Sequence, residues 1–444
     1  GLPASSGRWP PMRVGVVGAG ITGLALHHHL DRLGVESVVV EAVREPGGVV
    51  RSDRVDGRLV ERGPQRTRLT PAVRDLVRAA GLGSEVVEAA EVPLFVYRDG
   101  RLRRVPLSIR AAVSTDLLSF RGKLRALAEP LAGPPRRGET VEAYLVRAFG
   151  REVAENVAGP LYGGLYGTHP GEMPVERTLG RALEHAGISG SVLVAGLKRT
   201  LRRRSPPPVV SFVDGMQSLP LALYGAHRES IRLGTPARGI EPADGGFAIA
   251  TDDGSVPVDR VVLTTPAGVA ADLLDAVDPD SARHLRRLTY NPMAVVTLHA
   301  DADLRGAGFQ VPFDEPLDTL GSTWNDSLLG RDGVYTSYLG GGKRPGLVEE
   351  SDDHLGETAA REFEAVTGHA AEPIDVHRIR PGMPAFDRTW AALDDVDLPG
   401  GVHLCTNYTA RAGIPGRVAA AERLARALAG KATDDARPRR RLTP

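Results

Sequence analysis

The sequence predicts an α/β fold in which a parallel sheet begins near the N-terminus. Residues 14–17 form a β-branched run typical of a strand buried on both faces. A glycine-rich turn follows, and Leu26, Leu30 and Leu33 then recur at the spacing of one helix face. Residues 38–40 form a second apolar run. The order strand, helix, strand predicts a parallel crossover unit.

Composition bounds the possible functions. At 444 residues the chain exceeds one ordinary core, so two or more domains are expected. Basic and acidic residues balance at 55 each, which argues against nucleic-acid binding through bulk charge. Cys405 is the single cysteine, which excludes an internal disulfide and an all-cysteine metal site and favours a reducing cytoplasm. No apolar run approaches the roughly 18–20 residues of a membrane span. Residues 1–11 lack the apolar core of a signal peptide and are expected to be a cloning remnant.

The turn after the first strand carries a complete G-x-G-x-x-G pattern. Gly18 permits the tight turn, Gly20 lets the backbone approach a pyrophosphate, and Gly23 lets helix and strand pack closely. Ile21 and Thr22 lie at the helix N-terminus, whose free N–H groups face phosphates. The turn therefore predicts a dinucleotide site.

An acid follows at the end of the second strand. Glu41 stands 18 positions after Gly23, where it can accept hydrogen bonds from both ribose hydroxyls. The same acid disfavours a 2′-phosphate, so NADP is not expected. The run of three histidines at 27–29 is not a metal site, because consecutive helical side chains point about 100° apart. It predicts a surface helix, and no metal is expected.

The segment after Glu41 indicates which dinucleotide binds. A Gly-Gly pair at 47–48 and Glu61-Arg62-Gly63-Pro64 replace the second crossover helix of a nicotinamide domain. This arrangement resembles the FAD-binding signature of the flavin amine-oxidase superfamily, in which this loop wraps the diphosphate. The resemblance implies FAD contacts from Ala42, Arg44, Gly47, Gly48, Val49, Gly63 and Pro64. The family usually has Arg four places after the acid, whereas this chain has Glu45 there and Arg44 one place earlier.

The resemblance also implies how the chain divides. It predicts a Rossmann-like FAD-binding domain of the amine-oxidase type, a mixed α+β substrate domain and an inserted α-helical subdomain. Helical spacing dominates residues 112–204, and strands dominate from 208. The parallel sheet needs further strands, and 209–266 and 400–430 are the candidates. The predicted FAD domain comprises 12–75, 207–266 and 376–432, the substrate domain 76–111 and 267–375, and the helical subdomain 112–206; residues 433–444 are predicted to be a flexible tail.

The end of the chain predicts the other side of the cofactor site. In this fold a last strand leads into a helix whose positive N-terminal end faces the flavin N1–C2=O edge. Gly413, Ile414 and Pro415 fit that entry, with proline suited to a first helical turn. Asp214-Gly215-Met216-Gln217-Ser218-Leu219 resembles a segment beside the flavin. The resemblance further implies contacts from Ala237, Thr265 and Asn407.

Within the superfamily, the chain is most similar to the oxygen-dependent protoporphyrinogen and coproporphyrinogen oxidases. The stretches that carry the likeness are 94–106, 120–125, 139–144, 159–171 and the elements around Asn407-Tyr408 and Gly413-Ile414-Pro415. That family implies three two-electron oxidations of a porphyrinogen, with hydride passing to flavin N5 and dioxygen forming hydrogen peroxide. Positioning dominates such a reaction, so no catalytic side chain is assigned.

The substrate implies an apolar slot with cationic anchors. Arg66 and Arg68 are candidates for pairing with the propionates, since a guanidinium binds carboxylate bidentately. Plant-type members carry an anchoring Arg where this chain has Leu94, which points to prokaryotic-type members and leaves the choice of porphyrinogen open. One wall of the slot is predicted from Tyr162, Gly163, Gly164 and Tyr166, although helix packing that needs small residues explains the glycines equally well.

Other functions of the same fold stay open. A flavin amine oxidase would place a lysine near flavin N5, but lysines are scarce, at 123, 198, 343 and 431 only. Cys405 lies away from the place where some of those enzymes attach flavin, so non-covalent FAD is predicted. A carotenoid-type desaturase is a second alternative, and a GDP-dissociation-inhibitor-like binding protein is a third. The basic cluster at 198–204 fits either a peripheral contact with anionic lipid or a solvated linker, and the oligomeric state is open.

Overall fold

The computed structural model describes residues 12–201 and 205–435. The predicted cloning remnant, residues 202–204 of the basic cluster and residues 436–444 of the predicted tail therefore lie outside the described residues. The strands are β1 Arg13–Val17, β2 Glu36–Val40, β3 Ser52–Val55, β4 Arg58–Glu61, β5 Thr67–Arg68, β6 Val86–Glu88, β7 Leu94–Arg98, β8 Arg101–Arg104, β9 Val209–Phe212, β10 Ile231–Arg232, β11 Ala237–Ala243, β12 Gly246–Thr251, β13 Gly254–Val258, β14 Arg260–Leu263, β15 Tyr290–His299, β16 Gly308–Gln310, β17 Thr319–Trp324, β18 Val334–Gly340, β19 Glu372–Pro384 and β20 Val402–Leu404.

The helices alternate with these strands and concentrate in the middle of the chain. They are α1 Ile21–Arg32, α2 Pro71–Ala79, α3 Ile109–Ser114, α4 Phe120–Leu127, α5 Val141–Phe149, α6 Arg151–Val153, α7 Gly159–Tyr166, α8 Leu179–His185, α9 Val192–Leu201, α10 Ser218–Ala226, α11 Ala267–Leu274, α12 Pro279–Leu285, α13 Asn325–Leu329, α14 Asp352–Thr367 and α15 Ile414–Asp435.

A five-stranded parallel sheet holds the N-terminal crossover unit. Its order is β10-β2-β1-β14-β20, and Val16 of β1 aligns with Val39 of β2 and Val262 of β14. The prediction that later segments complete this sheet is confirmed by β10, β14 and β20. The strand β9, which lies in one of those candidate segments, instead pairs antiparallel with β5 and β6. The carboxyl ends of the parallel strands share one edge, where ligands of such sheets bind.

Helix α1 is more deeply buried than its sequence predicts. His27 and His28 are only 3% and 7% exposed. The ring nitrogens of His27 lie 2.7 Å from Ser37 Oγ and 2.8 Å from Ser230 Oγ. The predicted surface helix is therefore wrong, because α10 and α15, from distant parts of the chain, both pack against α1. The described residues contain no group of three or more His, Cys, Asp or Glu side chains that could hold a metal ion.

A seven-stranded sheet forms the second layer of the molecule. Its order is β19-β15-β18-β17-β16-β7-β8, and it is antiparallel except where β16 meets β7. Tyr335 and Leu339 on one face pack against α14 through Phe363. The opposite face meets the chain that follows β4, where Gln65 Oε1 accepts hydrogen bonds from Asn325 Nδ2 at 2.8 Å and Thr336 Oγ1 at 3.2 Å. We call this second surface the inner face.

Helices α3 to α9 lie between β8 of the seven-stranded sheet and β9, which pairs with β5 and β6. No strand lies between α3 and α9 in the described part of the chain, so the predicted helical character of this stretch is confirmed. Among the residues that the structure describes, no helix has both the length and the apolar character needed to cross a bilayer.

Candidate functional site

The three glycines of the first turn have different environments. Gly18 has φ +108°, and a Cβ on Gly23 would lie 1.9 Å from the carbonyl oxygen of Gly18. The fold itself therefore requires glycine at both positions. A Cβ on Gly20 would meet nothing nearer than 4.0 Å. Glycine at this third position leaves room in front of α1, as close approach by a pyrophosphate requires.

The carboxylate of Glu41 is held beside this turn. Its Oε2 accepts a hydrogen bond from the Ala19 amide at 2.7 Å, and its Oε1 accepts one from the Val43 amide at 3.0 Å. Because a carboxylate has about four acceptor sites, two remain for the hydroxyls of a ribose. The structure thus brings Glu41 and the glycine turn together, and the ribose contact of Glu41 stays a prediction.

The loop after Glu41 folds back onto the turn. The Gly47 amide donates to the Ala19 carbonyl oxygen at 2.8 Å, and a Cβ on Gly48 would lie 3.3 Å from the Cα of Gly20. A Cβ on Gly63 would lie 1.8 Å from the Val49 carbonyl oxygen. Gly47, Gly48, Val49 and Gly63 therefore lie in one layer with the turn, and Pro64 follows directly.

The FAD contact implied for Arg44 stays a prediction. The Arg44 side chain is exposed and lies against Gly234. Its neighbour Glu45 pairs with Arg51 at 3.3 Å and accepts a hydrogen bond from Gln217 Nε2 at 2.7 Å. Glu45, which stands where the family usually has arginine, therefore holds this loop against Gln217.

Gln217 is a residue that sequence reasoning missed. It is 3% exposed, its Nε2 also donates to the Pro46 carbonyl oxygen at 3.3 Å, and its Oε1 accepts from the Ser52 amide at 2.9 Å. It therefore fixes both ends of the glycine-rich loop. The only sequence signal was its place within 214–219, which resembled a segment beside the flavin.

The end of β14 adds a polar group to the same edge. Thr264 Oγ1 donates to the Val17 carbonyl oxygen at 2.8 Å and braces the turn. The hydroxyl of Thr265 is buried and has no hydrogen-bond partner among the described residues. A buried hydroxyl without a partner fits a site that a ligand completes. Ala237 begins β11 two residues after Thr235, whose amide donates to the Glu41 carbonyl oxygen at 2.7 Å.

The C-terminal residues lie on the other side of β14. Asn407 follows β20, Gly413 has φ +83°, and Ile414 begins α15 with its side chain buried against the cluster that contains α1. Pro415 occupies the first turn of that helix. Cys405 is buried, and burial raises the pKa of its thiol to about 12. The thiol is therefore both inaccessible and protonated in the folded protein.

The two arginines predicted to bind substrate differ in exposure and in hydrogen bonding. Arg66 is partly buried, and no hydrogen bond or ion pair joins its guanidinium to another described residue. Burial lowers the pKa of Arg66, and the phenol of Tyr338 on the inner face acts in the opposite direction. Arg68 is exposed, and its Nη1 donates to the Pro207 carbonyl oxygen at 3.1 Å. Arg66 is therefore the better placed to receive an anion.

The inner face carries Leu94 and supports α7. In the parallel pairing of β7 with β16, Leu94 lies beside Gly308. Its side chain is therefore on the same face of the sheet as the side chain of Gln310, two residues further along β16. A Cβ on Gly164 would lie 1.6 Å from Gln310 Oε1, and one on Gly163 would lie 2.6 Å from Phe313 Cε2. These two glycines allow α7 to lie directly on β16 and the loop after it. That close packing is the second of the two explanations that the sequence allowed.

The tyrosines of α7 form a small aromatic stack. The rings of Tyr162 and Tyr166 are 5.7 Å apart and nearly parallel. Burial raises the pKa of both phenols, so they are neutral at physiological pH. Asn291 Nδ2 fixes the end of this helix by donating to the Gly167 carbonyl oxygen at 3.0 Å. The arrangement supplies a rigid, uncharged wall rather than an acid or a base.

Two further features concern the other functions that the sequence leaves open and the other place where a ligand could bind. Lys343 Nζ donates to the carbonyl oxygens of Pro312 at 3.3 Å and Glu315 at 2.8 Å, so this lysine is engaged in holding a loop. A surface cavity of about 550 Å³ lies between the β3–β4 hairpin and the 329–334 segment, and Arg58 and Arg331 contribute to its lining. None of the residues predicted to bind cofactor or substrate lines that cavity.

Comparison with known proteins places this geometry in context. The model of the family described as flavin-containing amine oxidoreductase matches residues 21–429. The chain is 30% identical over 397 residues to protoporphyrinogen oxidase 1, chloroplastic, of Spinacia oleracea, covering 79% of the chain and 70% of that protein. It is 24% identical over 413 residues to coproporphyrinogen III oxidase of Bacillus subtilis (strain 168), covering 84% and 87%. A crystal structure from Exiguobacterium sp. 255-15, itself provisionally assigned as a protoporphyrinogen oxidase, matches with TM-score 0.77 and 26% identity over 95% of the chain and 99% of that protein.

Proposed function

Because the chain belongs to the flavin-containing amine oxidoreductase family, we propose that it is an FAD-dependent oxidase that dehydrogenates a porphyrinogen to the porphyrin. The substrate in this proposal is protoporphyrinogen IX or coproporphyrinogen III, and dioxygen is the electron acceptor, giving hydrogen peroxide. The FAD is bound without a covalent link. A cytoplasmic location, with or without contact to a membrane surface, accompanies the proposal.

The residues at the carboxyl edge of the parallel sheet fit FAD. Gly20 leaves space for the diphosphate in front of α1, and Glu41 retains acceptor sites for the ribose. The Thr265 hydroxyl, which has no partner in the described part of the chain, and the N-terminus of α15 lie along the same edge, beyond β14. The inner face of the second sheet contacts the chain that follows β4, through Gln65. The flavin ring, which lies beyond the diphosphate in FAD, would therefore face the second sheet.

One observation carries the choice of substrate. The relatives from spinach and B. subtilis, which cover 79% and 84% of the chain, are named for porphyrinogen oxidation. Their names divide between protoporphyrinogen and coproporphyrinogen, so both substrates belong in the proposal.

The inner face can bind such a substrate without acid–base side chains. Bound flavin supplies a hydride acceptor, and a methylene flanked by two pyrroles is a good hydride donor when it is held close. Arg66 offers a guanidinium that no other described residue pairs with, and it can pair with a propionate. Leu94 and the neutral Tyr162 and Tyr166 supply apolar surface that excludes water from the reacting carbon.

The decisive experiment is anaerobic reduction of the flavoprotein by each porphyrinogen in turn. Purified protein should be yellow, release FAD on acid precipitation, and lose its flavin absorbance with at least one of the two porphyrinogens. Readmission of air should then yield hydrogen peroxide. Reduction by amines or by a polyene, with no response to either porphyrinogen, would replace the proposal with one of the other enzymes of this fold. Colourless protein that takes up no FAD would favour a binding protein.

Matched variants test the placement of the substrate. Arg66→Met should raise KM at least tenfold, because a hydrogen bond to a charged group contributes about 1.5–3 kcal/mol. Arg68→Met is the control, because its guanidinium is exposed and bonded to a backbone carbonyl, and its KM should stay within twofold of the wild-type value. Equal effects from both substitutions would contradict the assignment of Arg66.

A flavin amine oxidase is the second candidate, favoured by the name of the matching family. Enzymes of that type hold a water at flavin N5 with a lysine. Lys343 bonds to two carbonyl oxygens and is committed to loop structure. This engagement supports the porphyrinogen proposal over the amine proposal.

A further inference from the structure

Arg417 is a partly buried cation without a counter-charge among the described residues. It lies in the first turn of α15, and its Nε is inaccessible to solvent and makes no hydrogen bond within the described residues. No ion pair joins its guanidinium to any acid that the structure describes. Burial lowers the pKa of Arg417, and the phenol of Tyr290 is the group that opposes this effect. Burial raises the pKa of Tyr290 itself to about 12, so the phenol is neutral and does not balance the charge.

Such an arrangement is costly unless another group completes it. A buried charge that lacks a partner costs several kcal/mol, and proteins usually pair it with an acid. Arg331 shows the usual solution in this chain: its Nη2 lies 2.8 Å from Glu61 Oε1, and both side chains are buried. Within the described residues Arg417 has no equivalent partner. Its surroundings therefore suit a ligand that brings negative charge.

The location of Arg417 indicates which part of a ligand it meets. Ile414 and Val418 of the same helix are buried in the cluster that contains α1, so one side of α15 faces the nucleotide helix. Arg417 is instead near Tyr290, the first residue of β15 in the second sheet. The Tyr290 hydroxyl accepts a hydrogen bond at 3.0 Å from the Ala267 amide, at the start of α11 and just beyond the carboxyl end of β14. Arg417 thus lies at the ligand-binding edge, between the nucleotide domain and the second sheet.

We propose that Arg417 donates hydrogen bonds to the N1–C2=O edge of the bound flavin ring and stabilises the negative charge that hydride transfer places there. If the diphosphate binds at the N-terminus of α1, the ring of FAD would be the part that reaches toward the second sheet. When the substrate C–H bond breaks, its hydrogen and electron pair move to N5, and the added negative charge spreads to N1 and the C2 oxygen. The oxidised substrate carbon is then neutralised by loss of a pyrrole N–H proton. The inference rests on the proposed FAD binding but not on the identity of the substrate.

Sulfite provides a test that needs no substrate. Its sulfur lone pair forms an N–S bond at flavin N5, which places negative charge on the same N1–C2=O edge and bleaches the flavin absorbance. Arg417→Met should raise the sulfite Kd at least tenfold, and Arg417→Lys should fall between that variant and the wild type. The flavin midpoint potential should drop by about 30 mV for each tenfold change in the two-electron equilibrium. Arg426→Met is the control, because Arg426 is an exposed residue of the same helix that pairs with Glu422, and it should match the wild type.

The outcomes separate this inference from the proposed function. Wild-type protein that takes up no FAD would defeat the proposed function itself. Flavin-loaded Arg417→Met with wild-type sulfite affinity and potential would overturn the inference alone. Arg417→Gln is measured in parallel in case the methionine variant does not retain flavin. If both uncharged variants lose flavin while Arg417→Lys binds sulfite as the wild type does, the charge serves diphosphate binding, and the inference is also overturned.

Discussion

Replacing Gly20 with alanine should separate cofactor binding from folding. Gly20 has φ −70° and ψ 173°, a conformation that alanine adopts without strain, and the added Cβ would meet nothing nearer than 4.0 Å. The methyl group would instead point into the space in front of α1. We therefore expect Gly20→Ala to fold normally and to bind FAD poorly.

The magnitudes follow from this geometry. Alanine in place of glycine at the residue before the helix lowers the free energy of unfolding by up to about 1 kcal/mol. Alanine also reduces the conformational entropy of the unfolded chain, which raises the free energy of unfolding by about 0.4–1 kcal/mol. The free energy of unfolding should therefore change by less than about 1 kcal/mol. A displaced diphosphate loses at least one charge-assisted hydrogen bond of about 1.5–3 kcal/mol. That loss corresponds to a rise in the FAD Kd of roughly 10- to 150-fold.

The assay compares two glycines of the same turn. FAD is titrated into flavin-free protein by fluorescence quenching, and thermal unfolding of that protein is followed without FAD. Gly23→Ala is the matched control, because its Cβ would lie 1.9 Å from the Gly18 carbonyl oxygen. Such a clash is expected to cost about 1–3 kcal/mol or more before any ligand is added.

The two variants should therefore fail in different experiments. Gly20→Ala should unfold near the wild-type temperature yet need far more FAD, whereas Gly23→Ala should unfold early. Wild-type FAD affinity in Gly20→Ala would refute the placement of the diphosphate. Unfolding of Gly20→Ala at the temperature of Gly23→Ala would refute the claim that its environment is open.

Three further predictions concern buried titratable groups. Arg331→Met should cost about 3–5 kcal/mol, because it leaves Glu61 buried without its cation. Burial already raises the pKa of Glu61 and the lost arginine opposed that rise, so Glu61 should hold its proton more tightly in the variant. The deficit should therefore grow as pH rises through the pKa that Glu61 has in the folded wild-type protein; a deficit that is equal at about pH 5 and about pH 8 in urea titrations would contradict this. Burial lowers the pKa of His27 to about 4, so the unfolded chain binds the proton more readily and stability should fall by up to about 3 kcal/mol between pH 6.5 and pH 4. His27→Gln should reduce this loss of stability between about pH 6.5 and pH 4. A variant whose stability depends on pH as the wild type's does would contradict the prediction. Cys405 should react with a disulfide reagent at least about a hundredfold more slowly in the folded protein than after unfolding, since burial suppresses its thiolate; rapid labelling of native protein would contradict this.

Local patterns were sufficient to predict the parallel crossover unit and its acid. The β-branched run, the glycine turn and Glu41 are all set by residues within 30 positions of one another, and the structure contains them as β1, α1 and the end of β2. The resemblance to the flavin amine-oxidase superfamily, carried by motifs spread across the chain, is confirmed by the family match over residues 21–429.

Features that depend on distant contacts were not predictable in this way. His27 is polar and sits in a helix with polar neighbours, so nothing local indicates that α10 and α15 cover it. Gln217 looks like any glutamine in a turn, yet its amide fixes a loop 165 residues earlier through Ser52. The choice between Arg66 and Arg68 likewise depends on which guanidinium the surrounding chain leaves without a partner.

Pairing, rather than residue type, therefore distinguishes the functional cations of this chain. Lys and Arg together number 55, so an arginine in the sequence carries little information by itself. The buried guanidinium of Arg331 has its acid within the protein, at Glu61. Arg66 and Arg417 have none among the described residues, and burial lowers the pKa of both. Keeping such cations desolvated lowers stability unless a ligand supplies the missing charge. Two different ligand groups are implied, because Arg66 lies near Tyr338 on the inner face and Arg417 lies near Tyr290 at the edge of the nucleotide sheet. In the functions that we propose, a substrate carboxylate and the reduced flavin ring are the two groups whose charges would meet these requirements.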